Sequence, residues 1–267
     1  MFRIICLLIG YGFGMIQTSY IIGKMSGIDI REHGSKNAGF TNTNRVLGIK
    51  KGAIVFVVDV AKAMLAFAFA TFVYNGMFAR EFAWGFGCLE GADCLYYGVV
   101  DAFRIIPRVC SPMRSTAYAG GTFFASRYII PGLWAGLGAI LGHCFPFYLD
   151  FKGGKGVACV LGVIIMLDWR IMVFSFAIGL FVVATTRFIS LASLLITLSV
   201  PILLFVFRYL RFIIDPIDGV GFWILRHAEE IWITAAICII IWYLHRENIK
   251  RLWAGTENQF SFKRKSA

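Results

Sequence analysis

Long apolar blocks separated by short polar segments set the pattern of this chain. Runs of about 17–25 residues, enough for a helix to cross roughly 30 Å of hydrocarbon, fall at Ile4–Gly23, Gly52–Tyr74, Tyr128–Phe147 and Phe188–Phe207. Shorter runs at Val157–Leu167, Ile171–Thr186 and Ile231–Leu244 complete the set. The stretch Val157–Thr186 reads either as one long helix or as two short ones that turn at Asp168-Trp169-Arg170. One helix would put Asp168 and Arg170 near mid-membrane, which costs several kcal/mol. Two helices leave Val157–Leu167 a reach of only about 16 Å. Parity favours two. Seven spans place the polar segments Lys24–Lys51, His143–Gly156 and His245–Glu257 on one side, whereas six would send the last across.

The blocks are too long and too uniform for a soluble all-β domain. Met1-Phe2-Arg3 followed by Ile4–Ile9 imitates a signal peptide, but no small-residue cleavage site follows and the apolar run continues to about Ile22. The pattern predicts an all-α, polytopic integral membrane protein with about seven transmembrane helices. It is expected to form one domain over residues 1–267, with 75–127 as a long loop insertion on the side away from the polar segments.

Composition narrows the class further. Of 267 residues, 59% are hydrophobic and 15% charged, against about 25% charged in ordinary soluble domains. Disorder, collagen and coiled coil are excluded by these values. The net charge of +11 would suggest nucleic acid in a soluble protein. In a membrane protein it points to basic cytoplasmic loops or anionic substrates, so nucleic acid is not an expected partner. On the seven-span topology, 15 of the 26 basic residues lie on the side of the polar segments and 10 on the other, with Lys62 inside a span. The positive-inside rule makes the basic side cytoplasmic and puts the amino terminus outside. Cys6, Cys159 and Cys238 sit in apolar runs as packing residues. Cys88, Cys94 and Cys110 cluster in the long loop, an odd number for pairing.

The chemistry concentrates in the three polar segments. Gly34-Ser35-Lys36-Asn37-Ala38-Gly39-Phe40-Thr41-Asn42-Thr43-Asn44-Arg45 combines glycine, hydroxyls, amides and an arginine fork, a set suited to phosphate. Its plainer alternative is a solvated loop of turn residues. Asp59 and Lys62 follow three apart on one helix face inside the second span. They read as a structural ion pair or as site residues, with Lys62 the more suited to meet an anion. The second segment contains Gly142-His143-Cys144-Phe145-Pro146 and Phe151-Lys152-Gly153-Gly154-Lys155-Gly156. Glycines, a lysine and a following helix amino terminus make a phosphate cradle or a flexible connector. It is not a Walker loop, because the spacing and the Ser/Thr after lysine are absent. His143 taken alone reads as a packed interfacial histidine. The third segment is His245-Arg246-Glu247-Asn248-Ile249-Lys250-Arg251-Leu252 with Gly255 and Glu257. If the last helix continues past Leu244, His245 and Asn248 share a face.

Taken together, these segments resemble the bacterial acyl-phosphate:glycerol-3-phosphate acyltransferases, the PlsY family. The family's first motif matches Gly34-Ser35, Asn37, Gly39, Thr41-Asn42, Arg45, Gly48, Lys50, Gly52, Asp59 and Lys62. The second matches Gly142–Pro146 and Phe151–Ala158, and the third His245, Asn248-Ile249, Arg251-Leu252, Gly255 and Glu257. Ala63 replaces a usual glycine and Cys159 a usual threonine, and the loop 75–127 makes the chain larger than the norm.

The resemblance implies transfer of a fatty acyl group from acyl phosphate to the first hydroxyl of glycerol 3-phosphate. The products would be 1-acylglycerol 3-phosphate and phosphate, the first step of phospholipid synthesis at a bacterial inner membrane, with the active site facing the cytoplasm. It implies catalytic roles for Ser35, Arg45, Lys155, His245 and Asn248. Substrate binding would fall to Asn37, Thr41, Asn42, Lys62, His143, Gly153, Gly154, Gly156 and Glu257. The expected partners are acyl phosphate, glycerol 3-phosphate and the lipid bilayer. A monomer is expected, with neither cofactor nor metal. No serine-histidine-acid arrangement and no His-x4-Asp pair is evident. The rival is a transporter of a phosphorylated solute with Asp59 and Lys62 lining its path. It predicts paired repeats with broken helices, which the sequence lacks.

Overall fold

The computed structural model describes residues 1–85, 117–214 and 220–260. Among them there are helices and loops but no strand. The order is α1 (Phe2–Gly14), α2 (Thr18–Met25), α3 (Phe40–Leu47), α4 (Ile49–Gly85), α5 (Ala117–Cys144), α6 (Val157–Leu167), α7 (Trp169–Thr186), α8 (Ile189–Ile214), α9 (Val220–Leu244) and α10 (Arg246–Trp253). Six segments are long and apolar enough to cross a membrane: Phe2–Met25, Ile49–Tyr74, Ile129–Leu149, Trp169–Thr186, Ile189–Leu210 and His227–Leu244. The shorter α6 is the seventh apolar segment.

The two-helix reading of Val157–Thr186 holds, for a local reason. Asp168 leaves the helical conformation and its carboxylate accepts the Arg170 N–H at 3.0 Å, capping α7. The Arg170 side chain closes on the same carboxylate at 2.6–3.0 Å, so both charges are paired at the turn. The short reach of α6 is tolerated because protein surrounds it. Val160, Val163, Ile164 and Leu167 pack with Ala63 and Phe67 of α4, Leu137 and Ile140 of α5, Val200 and Leu204 of α8, and Ile237 and Ile241 of α9. Irregular backbone at membrane depth is stable where neighbouring helices rather than lipid cover it.

The first span differs from the single helix expected. It breaks at Met15–Gln17, between α1 and α2. The break frees carbonyls that a continuous helix would satisfy, and side chains take them. Lys62 Nζ donates to the Ile16 carbonyl at 2.7 Å, and Tyr148 Oη to that of Met15 at 2.6 Å. The segment 75–127 also differs at its ends. Residues 86–116 lie outside the described residues, but α4 runs on to Gly85 and α5 begins at Ala117. The helix passes through the weak helix formers Asn75-Gly76 and continues over Met77-Phe78-Ala79-Arg80-Glu81, a run with strong helix formers and no proline.

Small residues set the tightest helix contact. A Cβ on Gly10 would sit 1.9 Å from the Ala135 carbonyl oxygen, and one on Gly14 2.1 Å from that of Ala139. Reciprocally, a Cβ on Gly138 would meet the Leu7 carbonyl oxygen at 2.1 Å, and one on Gly142 that of Tyr11 at 2.2 Å. Without hydrophobic force between helices in lipid, such close backbone contact is what joins them. It also aligns the α1–α2 break with the end of α5, where the second polar segment begins.

Candidate functional site

The helices alternate in direction, so all three polar segments emerge at one end of the bundle. In the first, the chain from Ile30 to Ser35 wraps around one amide. Asn42 is fully buried in α3. Its Nδ2 donates to the carbonyls of Ile30 at 3.0 Å and His33 at 2.9 Å, while its Oδ1 accepts the Ser35 N–H at 2.7 Å. Both donors and one acceptor position of the Asn42 amide are therefore spent on the protein. In place of the expected substrate contact, it shapes the loop that presents Ser35. Gly34 permits this with φ +61°, and a Cβ there would lie 2.3 Å from Asn42 Oδ1. Ser35 and Arg45 are exposed, and neither side chain forms an ion pair or hydrogen bond among the described residues. Asn37 and Thr41 are half-buried beside them.

The second segment meets the first at Gly154, where a Cβ would be 2.5 Å from the Ala38 carbonyl oxygen. The glycine loop divides into two parts. Gly153 N–H donates to the Cys144 carbonyl at 3.1 Å and Gly154 N–H to that of His143 at 3.0 Å. These two N–H groups are engaged with α5 instead of being free for phosphate. Beyond them, Gly156 turns at φ +79° into α6. The N–H groups of Lys155, Gly156, Val157 and Ala158 donate to no group among the described residues, so the helix amino terminus is open.

His143 is the hub of this region. It is 3% exposed. Its carbonyl accepts from Gln17 Nε2 at 2.7 Å as well as from Gly154. Its Nδ1 lies 2.9 Å from Lys62 Nζ. Lys62 also bonds Asp59 at 2.8 Å and the Ile16 carbonyl, so its three donors are used. This is the structural pairing considered for Asp59 and Lys62 from sequence, and it leaves Lys62 no donor for an anion. It also disfavours a transport path lined by the pair, which would need both groups open to solute.

The third segment meets the second through Lys155. Lys155 Nζ donates to Asn248 Oδ1, Asn248 Nδ2 donates to Glu257 Oε1 at 2.8 Å, and Arg251 Nε donates to Glu257 Oε2 at 2.7 Å. The condition of a helix continuing past Leu244 is not met: α9 ends at Leu244, and His245 sits at a bend before α10. Even so, His245 and Asn248 are both buried at the site end. His245 Nδ1 lies 2.8 Å from the Ile241 carbonyl, which makes Nδ1 the donor and leaves the Nε2 lone pair free. Burial, with the Lys155 charge, pushes its pKa down to about 4, so it is neutral at neutral pH. Burial also pulls Lys155 down to about 8, assisted by Arg251 and opposed by Glu257. Burial raises Glu257, but the bonds from Asn248 and Arg251 outweigh it and the net shift is down.

Two residues were not singled out as site residues from sequence. Gln17 holds the His143 carbonyl, and a polar residue inside the first apolar run was the available signal. Arg251 anchors Glu257; its signal was its place in the third motif. Among the described residues, no cluster of His, Cys, Asp or Glu could hold a metal. The apolar gap between α6, α8 and α9 measures about 10 Å³, roughly one water, so it is no seat for an acyl chain.

Fold and site together define an integral membrane protein whose three polar segments, with Arg45 and Lys155 among them, gather at one end of a helical bundle. Residues 4–255 match the family model described as glycerol-3-phosphate acyltransferase. The chain is 32% identical to the glycerol-3-phosphate acyltransferase of Chlorobaculum tepidum, covering 97% of each chain. It is 31% identical to that of Acaryochloris marina, covering 97% of this chain and 93% of the relative. Its fold matches crystal structures of PlsY, an integral membrane glycerol 3-phosphate acyltransferase, in glycerol 3-phosphate and lysophosphatidic acid forms. Both superpose with a TM-score of 0.64 at 26% identity, over 97% of this chain and 96% of the other. The chain belongs to the glycerol-3-phosphate acyltransferase family, which places it in phospholipid biosynthesis.

Proposed function

We propose that the protein moves a fatty acyl group from acyl phosphate to the sn-1 hydroxyl of glycerol 3-phosphate. The acceptor oxygen attacks the acyl carbonyl carbon, and the bond between that carbon and the phosphate oxygen breaks. The products are 1-acylglycerol 3-phosphate and inorganic phosphate. The hydroxyl proton leaves on His245 Nε2 or on the departing phosphate. The reaction runs at the cytoplasmic face of a bacterial inner membrane, as the basic residues gathered at the site end suggest.

The observation that carries this reading is cationic charge held at the site end without carboxylate partners. Arg45 has none among the described residues, and Lys155 is met by an amide alone. Two phosphate-bearing substrates would supply the missing negative charge. Ser35 and Arg45, with Asn37 and Thr41 beside them, bind phosphate oxygens. Lys155, Gly156 and the open amino terminus of α6 hold another phosphate through charge and N–H groups. Because acyl phosphate carries a good leaving group, positioning and charge stabilisation supply most of the acceleration. His245 meets the attacking hydroxyl, and Asn248 and Glu257 keep Lys155 and His245 aligned. Asn42 and Lys62 hold the loops in place.

The test is phosphate release by purified protein in detergent, given acyl phosphate and glycerol 3-phosphate. Release that requires both, with matching formation of 1-acylglycerol 3-phosphate, is expected. Equal product from an acyl thioester donor would refute the donor assignment.

A further inference from the structure

Lys62 does more than pair with Asp59. An ammonium has only donors, so at 2.9 Å from His143 Nδ1 it makes that nitrogen the acceptor. Asp59 Oδ1 competes for Nδ1 only from 3.7 Å, beyond hydrogen-bond range. The neutral imidazole must then carry its proton on Nε2. This nitrogen lies against the phosphate loop: a Cβ on Gly154 would be 2.1 Å from it. Nε2 has no hydrogen-bond partner among the described residues, although the ring is 3% exposed. A donor so placed, on a ring held at Nδ1 by Lys62 and on a residue whose carbonyl is held by Gln17 and Gly154, calls for an acceptor from outside the chain.

We propose that His143 is a substrate-contacting residue, held by Lys62 as the Nε2–H tautomer, so that this N–H donates to a phosphoryl oxygen of the substrate lying along Gly154–Gly156. The proposal rests on the acyltransferase reading above and adds to it a donor and its tautomer. Gly154 is glycine because a side chain would fill the space between the ring and the loop. Lys62 is a positioning residue that acts on the substrate only through His143. The shared ligand chemistry is a phosphate monoanion or dianion, which both acyl phosphate and glycerol 3-phosphate offer.

The test uses the full-length protein in detergent and compares His143→Gln, His143→Asn and Lys62→Met. Glutamine carries an amide N–H near the Nε2 position; asparagine reaches only the Nδ1 position. Expected kcat/KM is within about tenfold of wild type for His143→Gln, and about 10- to 100-fold lower for His143→Asn and Lys62→Met. A rise in KM for acyl phosphate assigns the contact to the donor; a rise for glycerol 3-phosphate assigns it to the acceptor. Equal activity of the glutamine and asparagine variants overturns the proposal. Nitrogen-15 NMR of histidine-labelled wild type reads the tautomer without any turnover. Protonation at Nδ1 there also overturns it, even if a variant fails to fold. Absence of wild-type phosphate release would count against the acyltransferase reading, while the NMR result still decides the tautomer.

Discussion

The two ends of the bundle both hold ion pairs, such as Arg251–Glu257 at the motif end, but they differ in the cationic charge they leave without a carboxylate. At the end away from the motifs, each charged group named here has an opposite charge on it. Arg3 meets Glu229 at 2.6 Å, and Trp134 Nε1 adds a bond to the same carboxylate at 2.8 Å. Arg208 meets Glu230 at 3.1 Å with both nearly sealed from solvent. Asp168 and Arg170 close the α6–α7 turn. At the motif end, Arg45 has no carboxylate, and Lys155 leans on an amide whose other side is tied to Glu257. Compensated charge joins parts of the protein; under the proposed function, the uncompensated charge is what a substrate phosphate meets. The same contrast separates Lys62 from Lys155, since the first has spent its donors and the second has not.

Removing the uncompensated charge should have the largest effect. Lys155→Met is expected to lower kcat/KM about 10²- to 10³-fold, the usual size for one charge-stabilising group. Its elution as a single folded species in detergent should be unchanged, and near-normal turnover would break the comparison. Next, Arg45→Ala and Ser35→Ala should each cost about 10- to 100-fold, read as kcat/KM, with melting temperature unmoved because neither side chain bonds to the protein.

A pH profile sharpens the picture without mutation. His245 is neutral above about 4 and Lys155 is charged below about 8. Their useful forms coexist between those values. The kcat/KM profile should therefore fall as pH drops through about 4 and again as it rises through about 8. Bound phosphate favours charged Lys155, so the alkaline limb of kcat should lie higher than that of kcat/KM. An alkaline limb unchanged in Lys155→Arg would contradict the assignment.

The smallest effect on turnover is expected at the opposite end. Arg208→Met leaves Glu230 buried without its 3.1 Å partner, and losing one member of such a pair costs about 3–5 kcal/mol of stability. Activity per folded molecule should stay near wild type. Adding Glu230→Met should recover much of the thermal stability, because an apolar pair can replace a buried ion pair.

The sequence alone determined the all-helical membrane architecture and where its polar segments fall. Hydrophobic length measures the membrane directly, and backbone groups in lipid have no choice but the helix, so spans were legible from composition. Asp168 beside Arg170 announced the turn between α6 and α7, because two charges cannot rest at mid-membrane unpaired. The motif residues were legible because polar groups are rare in so apolar a chain. Tertiary structure alone decided which of those groups remain open. The Asp59–Lys62 spacing left a structural pair and a site role both open for Lys62, and the local pattern does not separate Asn42 from Asn248. The difference lies in carbonyls freed by a break in the first span and in the wrap of residues 30–35 around one amide. It also lies in the glycine contact that brings α1 onto α5. Hydrogen-bond saturation depends on neighbours far apart in sequence, and a one-dimensional pattern carries no record of them.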